Sequence, residues 1–138
     1  MDRKRLFKTL ARLIVLIFIL NYIATKLYWY VSIWYFDMPM HFLGGLFLGL
    51  SMIWILSYKD LSLELSLKLI FKILLGVLII GVSWEIFEIL FNNIIAQMLF
   101  NTLDTISDIF FDLAGGTFAI FYFFYLKNGI ILITKNTV

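Results

Sequence analysis

The stretch from Leu67 to Phe91 reads LKLIFKILLGVLIIGVSWEIFEILF, with no charge between Lys72 and Glu85. A helix needs ~20 predominantly apolar residues to cross the hydrocarbon of a bilayer. A transmembrane β-strand needs only ~10 residues and alternates in polarity, which this run does not do. The stretch therefore predicts a membrane-spanning helix. Three further apolar runs flank it, at about 10–30, 38–58 and 106–126. The expected fold is an all-α integral membrane bundle of four transmembrane helices, the third at 67–91.

Composition supports the bilayer as solvent. Of 138 residues, 63% are hydrophobic and 14% charged, whereas soluble domains average ~25% charged. A soluble chain of this length has too little interior to hide so many Phe, Ile and Leu side chains. The length suits a single transmembrane domain over 1–138. The chain has no cysteine, which excludes disulfides, thiolate metal sites and cysteine nucleophiles. No nucleic-acid partner is expected, the lipid bilayer is, and a homo-oligomer is compatible with the sequence. The basic start before the first run imitates a signal peptide, but the apolar run continues to about Trp34 without a small-residue cleavage site. It is read as a retained anchor.

The basic residues orient the bundle. Arg3, Lys4, Arg5, Lys8 and Arg12 open the first span, Lys59, Lys68 and Lys72 surround the second connection, and Lys127 and Lys135 follow the fourth span. The connections near Tyr35 and between Asn92 and Thr105 hold no Lys or Arg. Positive charge favours the cytoplasmic side, so an N-in, C-in, multi-pass protein of the cytoplasmic membrane is expected; only Lys26, near the outer end of the first span, breaks the pattern. The segment Asn92 to Asn101 is too short to span and predicts a short interfacial element between the third and fourth helices.

Six of the nine acidic residues lie beside or inside the apolar runs, and the single histidine lies among them. A charge at mid-membrane commonly costs ~2.5–3.5 kcal/mol on insertion scales, and intramembrane ionisable groups mark functional sites by default. Asp37 and His41 are i, i+4 on the second span. Glu85 and Glu88 are i, i+3 on the third, and Asp104, Asp108 and Asp112 form an i, i+4, i+8 stripe on the fourth. With a rise of ~1.5 Å per residue, His41, Glu85 and Asp112 fall at similar depth, roughly 5–10 Å below the outer interface. Gly44 and Gly45 follow His41, and Gly115 and Gly116 follow Asp112, so the helices can approach closely.

So many carboxylates cannot all stay ionised together in a medium of low dielectric. The pocket calls for protons, a cation or a cationic substrate. Carboxylates with an imidazole suit a divalent ion such as Zn, Mn, Fe, Mg or Ca. His41, Glu85, Glu88, Asp108 and Asp112 are the candidate ligands, and Asp37 and Asp104 are the acids left to act as general base. Simpler roles exist for some of them. Asp104 and Asp37 can cap helices, and Glu88 or Asp108 can pair with Lys26.

The series Asp37-Met-Pro-Met-His41-Phe-Leu-Gly-Gly45, Gly81-Val-Ser-Trp84-Glu85-Ile-Phe-Glu88 and Asp104-Thr105-x-x-Asp108-x-x-x-Asp112-x-x-Gly115 resembles the VanZ-like superfamily of small membrane proteins, closest to its YjdF-like branch. The resemblance spans roughly residues 37 to 119 and implies a role at the cell envelope, without supplying a reaction. The chain departs from VanZ proteins in having Glu88 after Glu85, no Arg in the following loop, and Asp112 where Asn is typical. Three functions are compatible with these residues: a metal-dependent enzyme acting on a lipid or lipid-linked envelope substrate, an accessory or structural membrane module held by a metal or proton network, and cation or proton transport.

Overall fold

A computed structural model of the chain describes residues 3–59, 64–91 and 101–135. It is all-helical among these residues, with α1 at Arg3–Lys26, a short α2 at Trp29–Ser32, α3 at Asp37–Lys59, α4 at Leu67–Phe91 and α5 at Thr102–Lys135. Four of the helices are long and apolar enough to cross a membrane: α1, α3 over Asp37–Tyr58, α4, and α5 over Thr102–Lys127. The third span coincides with the apolar run quoted above. The interfacial element expected at Asn92 to Asn101 lies outside the described residues except for Asn101.

Two helix starts follow from side-chain caps. The Ser66 hydroxyl accepts from the Leu69 amide at 3.3 Å, and the Asn101 amide oxygen accepts from the Leu103 amide at 3.2 Å. Both satisfy amides that a helix N-terminus leaves without partners. The cap of α5 is therefore Asn101, and Asp104 sits inside the first turn. Pro39 sits in the first turn of α3, where its missing N–H costs nothing.

The first span differs from the expected 10–30. Its helix begins at Arg3, so the basic cluster rides on the first turns instead of preceding them, and it ends at Lys26. The chain then turns through Tyr28, whose φ of 56° is left-handed, into α2. Two edge-on ring contacts, Trp29 with Phe36 at 5.3 Å and Tyr30 with Phe36 at 5.2 Å, hold this elbow. The Tyr30 hydroxyl donates to the Asn21 side-chain oxygen at 2.8 Å.

The long helices alternate in direction. Their buried apolar residues gather at one end of the bundle: Leu6 and Leu10 of α1, Leu50 and Ile53 of α3, Leu69 and Ile73 of α4, Ala119 and Phe123 of α5. This end also carries the basic residues of α1 and α4 except Lys26, which closes the last turn of α1 at the other end. The opposite end carries Asp37, Glu88 and Asp104. The large apolar side chains that remain exposed, such as Phe18, Phe110 and Phe121, match a bilayer environment.

The closest pair is α3 with α5. A Cβ on Gly45 would overlap the Asp112 carbonyl, and one on Gly115 would overlap the Phe42 carbonyl. A Cβ on Gly49 would stand 2.7 Å from that of Ala119. Without a hydrophobic driving force between helices in lipid, such close backbone contact and interhelical polar bonds hold a bundle together. Gly45 and Gly115 set the separation of the two helices.

Candidate functional site

His41 projects from the second turn of α3 and is buried. Four carboxylates surround it. Asp112 Oδ1 is 3.5 Å from its Nδ1. Around its Nε2 stand Asp37 Oδ1 at 3.8 Å, Asp108 Oδ1 at 3.9 Å and Glu85 Oε1 at 4.0 Å. The i, i+4 spacing of Asp108 and Asp112 places one carboxylate toward each ring nitrogen. Three helices thus bring Asp37, Glu85, Asp108 and Asp112 around His41.

Two sets of side chains have ligand atoms within 4.8 Å of one another: Asp37 with His41 and Asp108, and His41 with Glu85 and Glu88. His41 belongs to both. Asp104 is exposed, one turn above Asp108. Asp37 is partly exposed. Asp37 and Asp104, assigned as general bases, are thus more exposed than His41, Glu85, Asp108 and Asp112, and Asp37 stands in one of the two ligand sets while Asp112 stands in neither. Lys26 is not the partner of Asp108, which faces His41. The Lys26 ammonium stands 5.8 Å from the Tyr22 ring centre.

The balance of charge decides what the site requires. Two unit charges at 4 Å interact by roughly 4 kcal/mol at an effective dielectric of about 20. One imidazolium supplies a single positive charge against several carboxylates. Glu85 is 4% exposed, and its Oε1 is fully buried without a hydrogen-bond partner. Leaving a buried acceptor unpaired commonly costs about 1–3 kcal/mol, more for a charged group. That oxygen points at the space shared with His41. A divalent ion fits this donor set, since imidazole nitrogen and carboxylate oxygen together suit Zn, Mn and Fe.

The chain carries a family signature consistent with its architecture. A family model described as "Predicted membrane protein (DUF2238)" matches residues 1–129. The chain belongs to this family. The matched region includes all four candidate spans and every residue of the site. No curated protein and no solved structure matches the chain.

Three contributors to this DUF2238 site escape a reading of charges alone. Gly81 makes room for Asp112: a Cβ there would stand 2.5 Å from Asp112 Oδ2. Its signal was its position four residues before Glu85, on the same helix face. Thr105 lies within polar reach of the Glu85 carboxylate, one residue from Asp104. Tyr30 lies near Asp37 and Glu88, and partial burial with these two charges pushes its phenol up to about 12. Nothing in the spacing of the elbow flags Tyr30.

Proposed function

We propose that this membrane protein holds a divalent metal ion in the His41 pocket and acts on a lipid or lipid-linked substrate of the cell envelope. The buried Oε1 of Glu85, without a hydrogen-bond partner and 4.0 Å from His41 Nε2, carries the reading. A carboxylate is stable in that position only with a proton or a cation beside it. His41, Glu85, Glu88, Asp108 and Asp112 would hold the ion, and Thr105 would orient Glu85. A bound divalent ion would supply Lewis acidity and an acidified water. Asp37 and Asp104, at the mouth, would take the proton from the attacking water. The pocket opens at the end opposite the basic residues, which the positive-inside rule assigns to the outer face of the cytoplasmic membrane. The resemblance to VanZ-like proteins, in the same residues, favours an envelope substrate.

A second reading has its own support. The same ring of carboxylates about one imidazole can share protons and serve as a polar clasp for α3, α4 and α5, making the protein an accessory module. Transport has less support, because α3 and α5 carry no acidic residue on the basic-end side of Asp112. Metal analysis of protein purified in mild detergent separates the readings. Stoichiometric metal in the native chain, lost in Asp112→Asn and Glu88→Gln, is expected. Absence of metal in the native protein under metal-replete conditions would leave only the proton clasp. Envelope lipid extracts incubated with the metal-loaded protein, but not with Asp37→Asn/Asp104→Asn, should release a water-soluble headgroup.

A further inference from the structure

At the other end of the bundle, α1 and α3 enclose a second feature that the His41 site does not use. An open cleft of about 380 Å³ is lined by Arg3, Lys4, Phe7, Lys8, Trp54 and Tyr58. Its construction follows from helical spacing. Arg3 with Phe7, Lys4 with Lys8, and Trp54 with Tyr58 are each i, i+4 pairs, so each pair shares a face. The two faces meet where the start of α1 crosses the end of α3.

The aromatic walls are ordered. The Phe7 and Trp54 rings lie 5.9 Å apart, and Trp54 and Tyr58 meet edge-on at 4.9 Å. The Arg3 guanidinium stands 5.0 Å from the centre of the Tyr58 ring. Stacking on a ring leaves the in-plane N–H groups of an arginine free to donate, in a fork that matches phosphate oxygens. Among the described residues, three cations line the cleft and no carboxylate does.

We infer that this cleft binds the headgroup phosphate of an anionic phospholipid in the leaflet at the basic end. The occupant is set by charge complementarity and by position. Three cations converge on one cleft, and Trp and Tyr are the side chains that settle at headgroup level. Arg3 and Lys4 grip the phosphate oxygens, Lys8 faces the negative charge, and Phe7 and Trp54 cover the glycerol and first methylenes.

Native mass spectrometry of the full chain in mild detergent tests this, with phosphatidylglycerol, phosphatidylcholine and inorganic phosphate as probes. The native protein should retain phosphatidylglycerol over phosphatidylcholine. Retention should fall about five-fold for each cation neutralised in Arg3→Gln and Lys4→Gln. Tyr58→Leu, which preserves every charge but removes the ring beneath Arg3, should also weaken it. Lys68→Gln/Lys72→Gln, on the same end but outside the cleft, should leave it unchanged. Equal retention of the two lipids would overturn the inference. So would an equal loss from the Lys68/Lys72 variant, which would mean a diffuse surface field. Displacement of the lipid by inorganic phosphate at matched concentration would assign the cleft to free phosphate instead.

Discussion

The carboxylate of Asp112 fills the space beside Gly81, where a Cβ would stand 2.5 Å from Oδ2. Asp112 is also pressed from the other side, since its backbone carbonyl lies where a Cβ of Gly45 would fall. One residue is therefore held by two glycines on two different helices, its side chain by α4 and its main chain by α3.

The two glycines should fail differently. Gly81→Ala meets only the end of a side chain, so Asp112 can turn its carboxylate away from His41. Metal affinity is expected to drop ten-fold or more, in line with other supporting-residue changes of ~10–100-fold, while thermal stability holds. Gly45→Ala meets backbone and forces α3 from α5, at a cost of about 1–3 kcal/mol. Metal titration beside thermal unfolding checks both. Equal loss of stability in the two variants would contradict the distinction.

Glu85→Gln should change sign with metal. In metal-free protein the substitution removes a buried carboxylate whose Oε1 has no hydrogen-bond partner and is expected to stabilise by about 1–3 kcal/mol, less whatever its contact with His41 contributes. On the proposed metal reading, at a metal concentration near 100 times Kd the native chain would gain about 2.7 kcal/mol from binding, and the variant should gain far less. Unfolding curves with and without metal should therefore cross in rank. A variant less stable than the native chain under both conditions would refute the account of Glu85.

Tyr30 and Asn21 tie the elbow to α1 through a bond of 2.8 Å. Tyr30→Phe and Asn21→Ala should each destabilise by about 0.5–1.5 kcal/mol, with the double variant no worse than either single one. The raised phenol fixes the pH dependence. A pKa raised on folding from 10.0 to about 12 adds stability that is complete below 10 and is lost as pH climbs toward the higher value. The gap between native protein and Tyr30→Phe should therefore close only above pH 10. A gap that widens there would be inconsistent with a neutral donor.

Orientation can be read with single cysteines, because the natural chain has none. Ser32 lies at the acidic end and Ser66 at the basic end, and both are exposed. An impermeant thiol reagent applied to intact cells should label Ser32→Cys and spare Ser66→Cys. The reverse pattern would place the His41 pocket on the cytoplasmic side.

The spans were legible because a membrane helix advertises itself by length and continuity. The run 67–91 became α4 without change. The stripe of Asp104, Asp108 and Asp112 was legible for a similar reason, since fixed rise and turn convert spacing into depth and face. The break at Tyr28 was not. The run from Leu10 to Trp34 has no Gly, Pro or Asn at that point to signal a left-handed residue, and the elbow is held instead by ring contacts to Phe36. Nor could the sequence say which carboxylate meets which nitrogen of His41. That assignment depends on the rotation of α5 against α3, which is set by where Gly45 and Gly115 let two backbones touch. The capping role open to Asp104 went to Asn101 because the helix begins one turn earlier than the apolar run does.

The ring of acids about His41 also constrains how the protein is made. Asp108 and Asp112 sit within a segment that must enter lipid, and each carboxylate alone would resist partitioning by ~2.5–3.5 kcal/mol. Their shelter is His41 on α3, which precedes α5 in the chain. On this geometry, α5 is expected to enter lipid more readily when α3 is already in place. Insertion of α5 and its packing against α3 are therefore expected to be coupled.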